Sequence, residues 1–102
     1  MRPKFHVEIT RQAQLDLQAI QDFIALDSPR RAEGFVGQLA EKILDLEEMP
    51  MRAPLCPEKI LARQGLRHLV LDPYRVIFRV EGSKVWVLRA IHGARLLRKR
   101  PF

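Results

Sequence analysis

One cysteine, Cys56, stands in the 102 residues. It excludes an internal disulfide and fits a reducing, cytoplasmic compartment. No apolar run approaches the roughly 18 residues that a membrane-spanning helix needs. The start, Met1-Arg2-Pro3-Lys4-Phe5-His6-Val7-Glu8, lacks the apolar stretch of a signal peptide. There is no glycine-rich phosphate loop. His6, His68, His92 and Cys56 show no close metal-ligand spacing. Neither a metal nor a cofactor is therefore expected. Ser28 and Ser83 fall at a cap and a turn rather than beside a base, and Cys56 reads as an ordinary loop cysteine. Without a linker, repeat or low-complexity tract, residues 1–102 read as one domain ending in a basic tail, 94–102.

Charge is what the chain has in excess, and it is unevenly placed. Residues 1–56 hold 7 Lys/Arg against 9 Asp/Glu, whereas residues 57–102 hold 11 against 3. The whole surplus of +6 thus belongs to the second half, which points to an anionic partner, either nucleic acid or an acidic protein segment.

Phe5–Ile9 alternates apolar with polar residues and predicts a strand. Thr10 suits an N-cap. Ala13, Leu17, Ile20 and Ile24 then mark one face of a helix, widened by Phe23 and ending near Leu26. Asp16 and Asp22 lie off that stripe. Ser28-Pro29 supplies a cap and a first helical residue. A second helix follows, with Ala32, Val36, Leu39, Ile43 and Leu46 on its stripe and Pro50 at its end. Gly34 and Gly37 leave room for close packing against the first helix. Residues 50–64 form a proline-interrupted crossover with a helical turn near Glu58–Arg63. Three strands are predicted after Gly65: Leu66–Leu71, Tyr74–Glu81 and Lys84–His92. The last two are joined through Gly82-Ser83, which suits a type II′ turn. The expected class is α+β: an N-terminal strand, a helical hairpin, and a three-stranded antiparallel meander with the helices packed on one face.

That turn pairs Arg79 with Trp86 and Phe78 with Val87. Strict alternation then places Tyr74, Val76, Phe78, Val80, Val85, Val87 and Ile91 beneath the helices, with Arg89 at the edge of that face. The other face carries Arg75, Ile77, Arg79, Trp86, Leu88, Ala90 and His92. An open face of this kind, apolar and rimmed by arginines, has the composition of a protein-binding surface.

The order of elements, together with Gly65-Leu66-Arg67, Pro73-Tyr74-Arg75-Val76-Ile77-Phe78-Arg79-Val80, Val85-Trp86-Val87-Leu88 and Ile91-His92-Gly93-Ala94-Arg95, resembles the RelE/ParE superfamily of type II toxin–antitoxin systems. The matching pieces span roughly residues 6–95. The resemblance implies a small antiparallel sheet backed by a helical hairpin. It also implies a cognate antitoxin in a hetero-oligomer, and one of two activities. RelE-like members cut mRNA on the ribosome. ParE-like members inhibit DNA gyrase without catalytic chemistry of their own.

A nuclease would draw on Arg67, Arg75 and Arg95 to hold the phosphate and on His92, with His68 on an earlier strand as a second candidate, for proton transfer. The C-terminal segment, however, offers no Tyr or His of the kind ribosome-dependent members use. The gyrase reading is preferred. It takes Arg95, Arg98, Lys99 and Arg100 as target-binding and Arg75, Arg79, Trp86 and Leu88 as antitoxin-binding. A further alternative is a small basic nucleic-acid-binding module. Against it, one tryptophan and no other aromatic stand on the open face, too little for a stacking platform.

Overall fold

The computed structural model describes residues 4–93. The elements are β1 (His6–Ile9), α1 (Arg11–Asp27), α2 (Pro29–Leu44), two 3-10 turns (Asp45–Glu47 and Pro50–Arg52), α3 (Lys59–Arg63), β2 (Arg67–Leu71), β3 (Tyr74–Glu81) and β4 (Lys84–His92). The strands form one sheet in the order β1-β4-β3-β2. The meander β2-β3-β4 is antiparallel, as expected, and β1 adds to its outer edge parallel to β4.

Local chemistry sets the hairpin of helices. The Thr10 hydroxyl accepts from the Ala13 N–H at 3.2 Å, capping α1. The Ser28 hydroxyl accepts from the Arg31 N–H at 3.2 Å, capping α2, whose first residue is Pro29. α2 ends at Leu44, earlier than Pro50, because the chain tightens there into a 3-10 turn that still buries Leu46. Gly34 and Gly37 are solvent-facing, with open space where a Cβ would stand, so they serve no helix contact. Phe23, expected to widen the core stripe, is 67% exposed. It lies about 100° round the helix from Ile24, off the side that meets the sheet.

Gly82 takes φ +59 and no non-glycine residue among those described has a positive φ. The β3–β4 turn is therefore the type II′ expected, since type I′ would need Ser83 positive as well. Val76, Phe78, Val85 and Val87 pack under Ala13, Ile20, Leu39 and Ile43 to make the main core.

Strict alternation fails partway along β4. Phe78 pairs with Val87 but Ile77 with Arg89, so Leu88 is an extra residue in a β-bulge. Beyond the bulge every side chain changes face. Ala90, expected outside, joins the main core, and Ile91, expected beneath the helices, packs with Ile77 on the opposite face. His92 likewise moves to the helix face, beside Tyr74 at 5.5 Å between ring centres.

The bulge is held by α1. Asp16 accepts from Arg89 Nε at 2.7 Å and Nη2 at 3.2 Å, and from the Ala90 N–H at 3.0 Å. Thr10 donates its hydroxyl to Leu88 O at 3.1 Å and its N–H to Val87 O at 3.0 Å. Arg89, placed by alternation at the edge of the helix face, stands opposite Ile77 after the bulge and reaches α1 through its ion pair with Asp16 rather than extending to water. Asp16, off the apolar stripe, is buried all the same. Removing it leaves a largely buried guanidinium and one backbone N–H without a partner. Asp16→Ala is expected to lower unfolding free energy by about 3 kcal/mol in urea titration, whereas Asp22→Ala, on the exposed side of α1, leaves it within about 0.5 kcal/mol.

Candidate functional site

The sheet face away from the helical hairpin is divided in two. Over β2 and the open end of the β3–β4 hairpin, the crossover covers it: Cys56, Leu61 and Leu66 pack on Ile77 and Ile91, with Leu88 at the margin. This second core was not anticipated. Its sequence signal is the apolar Leu61 and Leu66 flanking the turn at Gly65. Toward the tip of the β3–β4 hairpin the face stays open. Trp86 is half-buried there, with Lys84 Nζ 5.6 Å from its ring centre. Arg79 lies opposite on β3, exposed and 3.4 Å from Glu81. Glu8 lies opposite on β1.

Arg75 corrects the expectation of an open arginine-rimmed face. Its side chain is 5% exposed and both terminal nitrogens bind the Glu58 carboxylate, Nη1 to Oε1 at 3.0 Å and Nη2 to Oε2. A buried guanidinium needs such a counter-charge, and the residue before α3 supplies it. Nη1 also lies 3.4 Å from His68 Nδ1. Burial, and secondarily the Arg75 cation, lowers the His68 pKa, with Glu58 opposing. Burial likewise pushes the Cys56 thiol up to about 11, which leaves a neutral, inert core thiol rather than a nucleophile.

Of the residues suggested for a nuclease, His68 meets Arg75 under the crossover, but Arg67 and His92 stand apart from that pair. Arg67 lies on the helix face, donating to Ala53 O at 2.7 Å and Met51 O at 3.4 Å. Arg75 is on the opposite face. His92 shares the helix face with Arg67 but pairs with Tyr74, while Arg67 pairs with Phe78. Four residues of strand, about 13 Å, and two strand spacings of about 5 Å separate them. Arg95, Arg98, Lys99 and Arg100 lie outside the described residues. Among those described, no group of three His, Cys, Asp or Glu is placed to hold a metal, and no helix is long and apolar enough to cross a membrane.

One further surface escaped the sequence. A groove of about 790 Å³ opens where the tip of the helical hairpin meets the β2–β3 turn, lined by Phe23, Leu26, Phe35, Pro73 and Tyr74. Leu26 is 86% exposed. Counting Phe23 among core residues hid this apolar rim.

A family model for the ParE toxin of the type II toxin–antitoxin system parDE matches residues 7–97. The chain belongs to the ParE toxin family. Among solved structures, this ParE-family toxin is similar to a chain of the chromosomal ParDE toxin–antitoxin system from P. aeruginosa. That match has 28% identity and a TM-score of 0.73, covering 89% of this chain and 98% of that one. It shares its fold with a chain of the toxin–antitoxin complex RelBE2 from Mycobacterium tuberculosis, at 22% identity and a TM-score of 0.63, covering 87% and 98%. No curated protein matches it significantly. It is thus a toxin of a type II toxin–antitoxin system with the α+β fold of ParE and RelE proteins.

The Glu58–Arg75 pair can be tested as a unit. Glu58→Ala is expected to cost about 3 kcal/mol in urea unfolding because Arg75 is left charged and buried. Adding Arg75→Met should recover more than half of that loss, since the penalty lies in the unpaired charge.

Proposed function

We propose that this ParE-family toxin acts by binding DNA gyrase and that a cognate antitoxin neutralises it by covering its two open apolar surfaces. The observation that carries the gyrase reading is the scatter of Arg67, Arg75 and His92. Cutting RNA requires a base, an acid and cations around one phosphate. Here one arginine is bound to backbone carbonyls, another is sealed under the crossover with Glu58 and His68, and His92 stands at the far end of the sheet. Inhibition by binding asks only for a presented surface. The family match supports the same reading. The basic residues Arg95, Arg98, Lys99 and Arg100 remain the proposed target contacts, suited by charge to gyrase or the DNA it holds.

The antitoxin reading draws on the two surfaces and on the similarity to a ParDE toxin–antitoxin system. Arg79, Trp86 and Leu88 form a strip with an aromatic centre and a charged rim, the anatomy of a binding patch. The groove at Phe23 and Leu26 offers a second apolar contact. An acidic antitoxin fits the basic second half of the chain. Arg75 is withdrawn from the contact set because it is buried.

Pulse labelling just after induction without antitoxin separates the two activities. DNA synthesis is expected to fall first while protein synthesis continues, followed by direct inhibition of purified gyrase. Collapse of protein synthesis within minutes, with DNA synthesis lagging, would instead place the target at the ribosome and mRNA. For the antitoxin, Trp86→Ala should weaken the complex by about 2 kcal/mol in calorimetry while leaving the circular dichroism spectrum intact. Unchanged affinity would remove the strip from the interface.

A further inference from the structure

Segment 54–66 of the crossover is fastened to the sheet by backbone bonds, apolar packing and a polar cluster of side chains. Cys56 N–H to Leu66 O at 2.9 Å closes the segment on itself, and His68 N–H to Pro54 O at 3.1 Å joins it to β2. Leu61 and Leu66 supply its apolar contact. The polar cluster is the triad Glu58, Arg75 and His68. Arginine has donors only, so in the contact of Arg75 Nη1 with His68 Nδ1 the guanidinium donates and the imidazole accepts. That contact requires the neutral ring with its proton on Nε2. Arg75 has little to spare, because its Nε is buried and makes no hydrogen bond among the described residues.

We propose that segment 54–66 is an acid-sensitive strap, in which protonation of His68 removes an acceptor from Arg75, loosens the Arg75–Glu58 pair and lifts the segment off the sheet.

Three groups decide the balance. From β3, Arg75 repels an imidazolium. From the crossover, Glu58 attracts it, but both carboxylate oxygens already bind Arg75. An imidazolium that draws on Glu58 therefore takes it from Arg75, and either response weakens the pair. Cys56, the third neighbour, is neutral throughout because its thiol titrates near 11. The direction of the His68 shift agrees. Burial and then Arg75 hold its folded pKa below the ordinary 6.5. The neutral ring is thus the folded form, so its contribution is complete above that value and is lost as pH falls through the lower folded pKa. Lifting the strap would uncover Ile77 and Ile91 beside the open Trp86 strip, enlarging the exposed apolar face. The inference stands independently of whether gyrase or the ribosome is the target.

Amide hydrogen exchange on the full chain, at about pH 7.5 and about pH 5 with intrinsic rates corrected, tests it. Protection of the His68 amide, which bonds across to Pro54, should fall about tenfold more than that of the Val85 and Val87 amides. In His68→Gln, whose side chain stays neutral, the difference should vanish. Equal losses in both proteins, or none in the original, overturn the proposal. Should His68→Gln fail to fold, labelling of Cys56 in the original chain with 4,4′-dithiodipyridine, which reacts in acid, decides. Labelling that accelerates below pH about 6.5 runs against the thiolate trend and requires the strap to open; labelling that slows or stays flat overturns it.

Discussion

Asp16 receives Arg89 and the Ala90 N–H in one carboxylate, and the placement of everything beyond the middle of β4 follows from that. A bulge leaves a strand with a surplus residue and an uneven edge. β1 pairs only with Lys84–Val87, so the rest of β4 would expose unpaired backbone groups on that side. Thr10 and Asp16 serve those groups from the first turns of α1. The same contacts fix the angle at which the helical hairpin meets the sheet, and with it the groove between the hairpin tip and the β2–β3 turn. A single carboxylate thereby joins helix position, strand register and surface shape.

The second organising contact is the Glu58–Arg75 pair on the opposite face. It does for the crossover what Asp16 does for α1, tying an irregular segment to the sheet through a charge that could not otherwise be buried. Without a counter-charge, Arg75 would have to remain in water and the apolar contact of Leu61 and Leu66 with Ile77 would be held open. With it, half of a sheet face becomes core. The other half stays open around Trp86, where no loop among the described residues reaches.

The described surfaces left over are apolar patches with charged rims, and three arginines of the second half are spent on structure. Arg67 holds the 50–53 turn, Arg75 holds the crossover, Arg89 holds the bulge. The basic surplus of the second half falls by one where Asp16 of the first half neutralises Arg89, whereas Arg75 and Glu58, both of the second half, cancel each other.

Much was legible in advance because it depends on neighbours in the chain. Thr10 and Ser28-Pro29 cap helices through bonds made within three residues, Gly82-Ser83 specifies its turn by the φ that glycine permits, and the 3.6-residue stripes mark the helices. The succession of elements and its resemblance to ParE and RelE proteins followed from these local signals. Face assignment in β4 was not legible, because alternation carries no mark of an extra residue whose cause, Asp16, lies 73 positions away from Arg89. Nor was the burial of Arg75, which depends on a carboxylate 17 residues earlier in an irregular segment. The sequence by itself determined the elements, their order and the charge asymmetry, since short-range sterics and hydrogen bonds govern them. Only the tertiary structure decided which arginines are surface and which are core, because burying a charge is settled by partners that meet across the fold.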